Sequence, residues 1–165
     1  MIRVDKYIKL IYIFAVLFLT AHISRIFVET GMMNWYEFSY KPSVTPVNEV
    51  FPIVWTIMYL LIGAALFFAI YDSPMEEVHK YNNEFLLQMV LQCLWCYTFF
   101  TKGELLWGFV VIIVMVLTAF RMIRIYTDAG RLSGGLLYPY LIWLLYATYL
   151  NLNFVIELGV SAPLQ

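Results

Sequence analysis

Phe51, Trp55 and Tyr59 recur at every fourth residue of an uncharged apolar run, so a helix through them stacks three large rings along one side. The chemistry that such a stripe offers is non-covalent: ring faces and a phenol for holding a flat, largely apolar molecule. Gln88, Gln92, Trp95 and Phe99 follow at i, i+4, i+7 and i+11, which puts two amides and two rings on one face of another helix. An unpaired amide in an apolar medium is costly, so this face turns inward. In the last apolar run Leu136, Tyr140, Trp143, Ala147 and Leu150 share a face, with Asn151 beside it. Ala147 is small among large neighbours and leaves room for something flat. Two readings fit these stripes: helix packing with amides as polar glue, or a pocket of aromatic walls with a few placed polar groups. Trp55, Tyr59, Trp95 and Trp143 all lying on inward-capable stripes favours the pocket.

Other chemistries find little machinery. Cys93 and Cys96 read C-L-W-C within an apolar run, without the further ligands of a zinc site or the soluble setting of a redox motif, and are expected to be buried apolar thiols. His22, near the end of the first apolar run, is expected to be packed or interfacial rather than an axial ligand; His79 sits beside Glu76, Glu77 and Lys80 and is expected in solvent. No nucleophile–base pair, paired carboxylates, metal cluster or phosphate loop is visible, so no catalytic or metal residues are assigned. The spans after the first carry no acidic residue, which argues against a proton-coupled pump.

The elements that position these side chains follow from composition. Hydrophobic residues make up 63% of the 165 and charged residues 13%, about half the charged share of a soluble domain. With a mean hydropathy of +0.80, the solvent is mostly lipid. The net charge of −1 gives no reason to expect nucleic acid. Apolar runs at about 7–27, 50–71, 85–101, 105–121 and 134–156 predict a single all-α domain over 1–165, a five-transmembrane-helix bundle, because backbone groups in lipid must pair within each segment. Arg3, Lys6 and Lys9 precede a run longer than a signal-peptide core, so the first span is expected to be retained. Residues 28–49 hold Trp35, Lys41, Pro42 and Pro46; the prolines rule out a through-running helix, and this first loop is expected to be the pocket's lid. Ala65 and Ala69 form a small-residue pair of the kind that permits close helix contact.

Lys and Arg counts orient the bundle. Arg3, Lys6, Lys9, Lys80, Arg121, Arg124 and Arg131 fall on one side, and Arg25, Lys41 and Lys102 on the other. Seven against three predicts the N-terminus inside, with the C-terminus and first loop outside.

The set Trp35-Tyr36, Lys41-Pro42, Pro46, Phe51, Trp55, Tyr59 and Gly63, the run from Leu136 to Asn151, and Trp95 followed by Phe99-Phe100 together resemble the TspO/MBR family of tryptophan-rich sensory and translocator proteins. The resemblance covers about Trp35 to Asn151. It implies a five-helix bundle, often dimeric, whose pocket binds porphyrins such as protoporphyrin IX or heme as ligand, with no separate cofactor. By the same resemblance the pocket uses Trp55, Trp95, Trp143, Ala147 and Leu150, and the expected location is a bacterial cell membrane rather than a mitochondrial outer membrane. A membrane sensor or receptor of tetrapyrroles is the leading expectation. A light- and oxygen-dependent porphyrin-degrading enzyme and a transporter of porphyrins or sterol-like lipids are the alternatives. Gln92 stands where the family usually has Asn, Val44 and Val47 where its loop has Trp and a second Pro, and Val111 where Asp is common. Leu152 and Ile156 replace the Tyr and basic residue of the proposed cholesterol motif.

Overall fold

The computed structural model describes residues 2–39, 41–43, 45–71, 73 and 75–159. Val44 and the side chain of Arg3 lie outside them. All the described regular structure is helical: α1 (Ile2–Gly31), α2 (Val50–Ile70), α3 (Met75–Cys96), α4 (Leu105–Ala129), the short α5 (Arg131–Gly135) and α6 (Tyr138–Gly159).

Several boundaries differ from the apolar runs, among them the last run, which opens as the separate α5 and restarts as α6. First, α1 does not stop at the end of its apolar run. It continues through a π-helical turn, Met32–Tyr36, so Trp35 belongs to a helix and the irregular part of the first loop begins only at Glu37. Second, α3 starts at Met75 rather than near 85, with Glu76 and Glu77 in its first turn, where carboxylates favour the positive end of the helix dipole. It too ends in a π-helical turn, Tyr97–Thr101. Third, α4 runs past Arg121 to Ala129, because Met122, Ile123 and Tyr126 keep an apolar face toward the bundle. Pro52 and Pro139 each fall in a first helical turn, where a missing N–H costs nothing.

Among the described residues four segments are long and apolar enough to cross a membrane: Lys6–Tyr36, Val50–Ile70, Leu105–Ala129 and Arg131–Leu158. α3 is of similar length but is not one of the four; its first half is charged and its apolar half carries Gln88 and Gln92.

Packing places α4 against α3, α5 and α6, while α1 lies along α3 and its π-helical turn, and α2 touches α1, α3 and α5. α2 and α6 meet mainly through rings, as Phe51 and Trp55 reach Trp143 at centroid distances of 6.0 and 6.2 Å. Ala65 and Ala69 are buried within the bundle, and the Ser133 hydroxyl of α5 donates to the Ala65 carbonyl at 2.7 Å. That small-residue pair therefore serves contact inside the chain. Gln88, fully buried, is a junction of three helices. Its amide nitrogen donates to Thr118 Oγ1 at 2.9 Å and the Met115 carbonyl at 3.2 Å, and its oxygen accepts from the Tyr140 hydroxyl at 2.9 Å.

At the loop end of the bundle the two π-helical turns lie side by side. The Trp35 indole N–H donates to the Phe100 carbonyl at 2.7 Å, and the Thr101 hydroxyl to the Phe27 carbonyl at 3.1 Å. Gly103 then turns the chain into α4 with φ +65, a left-handed conformation that favours glycine.

Candidate functional site

The four-residue spacing of Phe51, Trp55 and Tyr59 places all three on the wall of a cavity of about 530 Å³ between α1, the start of α2 and the end of α3. The volume is within the range of small-molecule sites, about 300–1,000 Å³. From α3 come Gln92, Trp95 and Cys96. Trp55 is the hinge of the aromatic wall, with ring centroids 6.0 Å from both Tyr59 and Trp95. The two π-helical turns contribute Met32, Tyr36 and Phe100. Such widened turns shift the angular positions of side chains and often occur at functional sites.

The inner end carries the polar groups Ser24, Tyr59, Gln92 and Cys96. Gln92 is 2% exposed; its nitrogen lies 3.5 Å from Cys96 Sγ, and its oxygen has no hydrogen-bond partner among the described residues. A buried carbonyl left without a donor is costly unless a ligand completes it. Cys93 and Cys96 are both free thiols, Cys93 with its sulfur 3.8 Å from Ser24 Oγ.

The other expected residues sit behind the wall or away from it. Phe99 stacks on Trp95 at 5.9 Å and 20°, and is buried. Tyr140, Ala147 and Leu150 are buried and do not line the cavity, and Gln88 is consumed by the helix junction. Trp143 backs Phe51 and Trp55, and its indole N–H is buried without a partner among the described residues. Trp95 Nε1 is 3.4 Å from Asn151 Oδ1. Of the expected lid, Trp35 packs against Phe99 and Phe154. Lys41, Pro42 and Pro46 border a separate shallow depression, and Lys41 reaches the Tyr36 ring at 5.1 Å. Among the described residues of the irregular loop, Asn48 lies on the main cavity. His22 is exposed and stacks on Phe18, away from the cavity. Among the described residues no group of three or more His, Cys, Asp or Glu is placed to hold a metal.

The α1 wall was missed by the sequence reading. Ala21, Ser24, Arg25, Val28, Glu29 and Met32 line it, and their spacing of i, i+3, i+4, i+7, i+8 and i+11 is a single helical stripe. The available signal was a run of small and polar residues on one side of an otherwise bulky, apolar helix.

A chain whose described structure is all helical, with several membrane-capable helices, is a multi-pass membrane protein. Residues 12–156 match the TspO/MBR family, and the chain belongs to it. It is 33% identical over 125 residues to the tryptophan-rich protein TspO of Archaeoglobus fulgidus, covering 76% of this chain and 80% of that one. It is 30% identical over 118 residues to the tryptophan-rich sensory protein of Cereibacter sphaeroides, covering 72% and 73%. The human translocator protein is 27% identical over 134 residues, covering 76% and 75%.

Gln92→Leu separates the cavity's role from the fold's. Removing an unsatisfied amide for an apolar group of similar size is expected to leave thermal stability unchanged or raise it by up to about 1 kcal/mol. Ligand affinity should fall by about threefold or more at the same time, which parallel unfolding and titration measurements would show.

Proposed function

We propose that this protein is a membrane-embedded sensor or receptor that binds a flat, amphipathic tetrapyrrole such as protoporphyrin IX or heme and responds to its level or movement. The observation that carries the reading is the cavity, lined by the Trp55 and Trp95 rings and by a buried Gln92 carbonyl with no partner among the described residues. Indole faces stack on a macrocycle, and an orphan acceptor suits its polar groups. The family and the sensory and translocator names of its relatives support the same direction.

In this reading α3 is a fifth crossing over its apolar half, with its charged first turns in the interfacial or aqueous layer. The N-terminus lies inside and the C-terminus outside, in a bacterial cell membrane, and two copies associate as a homodimer. Crosslinking in native membranes that yields only monomer would remove the dimer from the proposal.

The test is a titration of the purified protein with protoporphyrin IX, following tryptophan fluorescence and pigment absorbance in darkness and in light. Saturable quenching is expected, and Trp55→Leu should weaken it about tenfold or more, as loss of a buried aromatic anchor does. Absence of saturable quenching, or unchanged affinity in Trp55→Leu, refutes the pocket assignment. A second reading, light-driven porphyrin oxidation by oxygen, is favoured by the closeness of Trp55 to both Trp95 and Trp143, at 6.0 and 6.2 Å. Oxygen-dependent bleaching by the wild type that Trp55→Phe abolishes would select it.

A further inference from the structure

Among the described cavity-lining residues only Arg25 and Glu29 carry full charges, and they stand one turn apart on α1. We propose that this pair is a charge filter: it makes the cavity selective for ligands ending in a carboxylate or similar anion, with Arg25 as the specificity-determining residue. The inference rests on the reading of the cavity as a ligand site.

Three observations carry it. The rest of the described lining is apolar or neutral, so within it only this pair offers a charged partner to a ligand's charged end. The Arg25–Glu29 bond, 2.6 Å from Nε to Oε1, joins side chains that are 75% and 55% exposed. An exposed i, i+4 pair of this kind is weak, so exchanging Glu29 for a ligand anion forfeits little. Finally, the bond to Glu29 runs from Nε to one carboxylate oxygen. The guanidinium fork matches a carboxylate with two parallel N–H bonds, a geometry that the single contact to Glu29 does not use.

The arrangement also fixes the sign of two substitutions. Arg25 attracts the ligand anion, whereas Glu29 competes for the same guanidinium and repels the incoming charge. Removing the arginine should therefore weaken binding of acids, and removing the carboxylate should strengthen it.

The experiment uses the full chain in detergent or nanodiscs with two matched probe pairs: protoporphyrin IX against its dimethyl ester, and pyrenebutyric acid against its methyl ester. Each probe is titrated into the unsubstituted protein, Arg25→Gln and Glu29→Gln. Comparing proteins for the same probe cancels its partition into lipid. Arg25→Gln is expected to weaken both acids about fivefold, the upper range for a partly exposed, bidentate charge pair, and to change both esters less than about twofold. Glu29→Gln should tighten the acids by about threefold and leave the esters alone. Equal weakening of acid and ester in Arg25→Gln marks a structural effect and overturns the filter, as does no change in either. If protoporphyrin does not bind but the pyrene acid still depends on Arg25, the tetrapyrrole reading falls and the filter stands. No saturable binding of either pair to the unsubstituted protein overturns both.

Discussion

Gly31→Ala is expected to destabilise the protein by about 2 kcal/mol and to weaken ligand binding, although it adds a single methyl group. A Cβ at this position would lie 2.5 Å from the Phe100 carbonyl oxygen and 2.6 Å from its carbon, closer than real contacts allow. The obstacle is largely backbone, so no flexible side-chain end can move aside. That same carbonyl accepts the Trp35 indole N–H, so relieving the clash also strains or breaks the bond that joins the two π-helical turns. Overpacking costs roughly 1–3 kcal/mol, and the better helix propensity of alanine returns at most about 1 kcal/mol. By the scaling for globular proteins of this size, the net loss lowers the unfolding midpoint by roughly 4–8 °C. Thermal unfolding in detergent, followed by circular dichroism, reads this directly. Gly135→Ala is the control, since a Cβ there meets nothing within 4 Å, and it should be neutral or slightly stabilising. Equal behaviour of the two variants would refute the close crossing of α1 and α3. Because Phe100 lines the cavity, the shift in Gly31→Ala should also change affinity for protoporphyrin IX.

The second large effect is at Gln88, one helical turn from Gln92. Gln88→Leu removes the acceptor of the buried Tyr140 hydroxyl and the donor to Thr118 and Met115, untying α3 from α6 and α4. A buried hydroxyl left without its partner costs about 1–3 kcal/mol, and the interhelical bonds lost with it add about 1 kcal/mol. Gln88→Leu should therefore destabilise the fold by about 2–3 kcal/mol, whereas the identical change at Gln92 leaves stability level or better. A double substitution, Gln88→Leu with Tyr140→Phe, removes both partners and should recover about half of the loss. If Gln88→Leu and Gln92→Leu destabilise equally, the assignment of one amide to the scaffold and the other to the cavity is wrong.

These two glutamines show where sequence reasoning stops. Their spacing of four places both on one inward face, and burial in an apolar medium demands partners for both. Nothing in that face says which amide finds its partners in neighbouring helices. Gln88 faces Thr118 and Tyr140, which complete it, while Gln92 faces Cys96 and the cavity. The same holds for the rings. Trp55 and Trp95 were legible as inward, and they line the cavity; Trp143 was equally legible, and it lies behind Phe51 and Trp55 as their support. The α1 wall stayed illegible because a first helix rich in Ile, Leu and Phe reads simply as lipid-facing, and its stripe of Ala21, Ser24 and Val28 is quiet beside them.

Sequence alone determined the solvent, the helical class and the inward faces. Composition and the 3.6-residue period are local quantities, and an apolar run in lipid has no alternative to a helix that pairs its own backbone. Tertiary structure decided which faces meet, which of the buried polar groups remain unpartnered, and that the cavity opens against α1 with Arg25 and Glu29 at its rim. Those outcomes depend on how far apart the helices sit. That separation is set by contacts as small as Gly31 on Phe100, which no single helix's periodicity records.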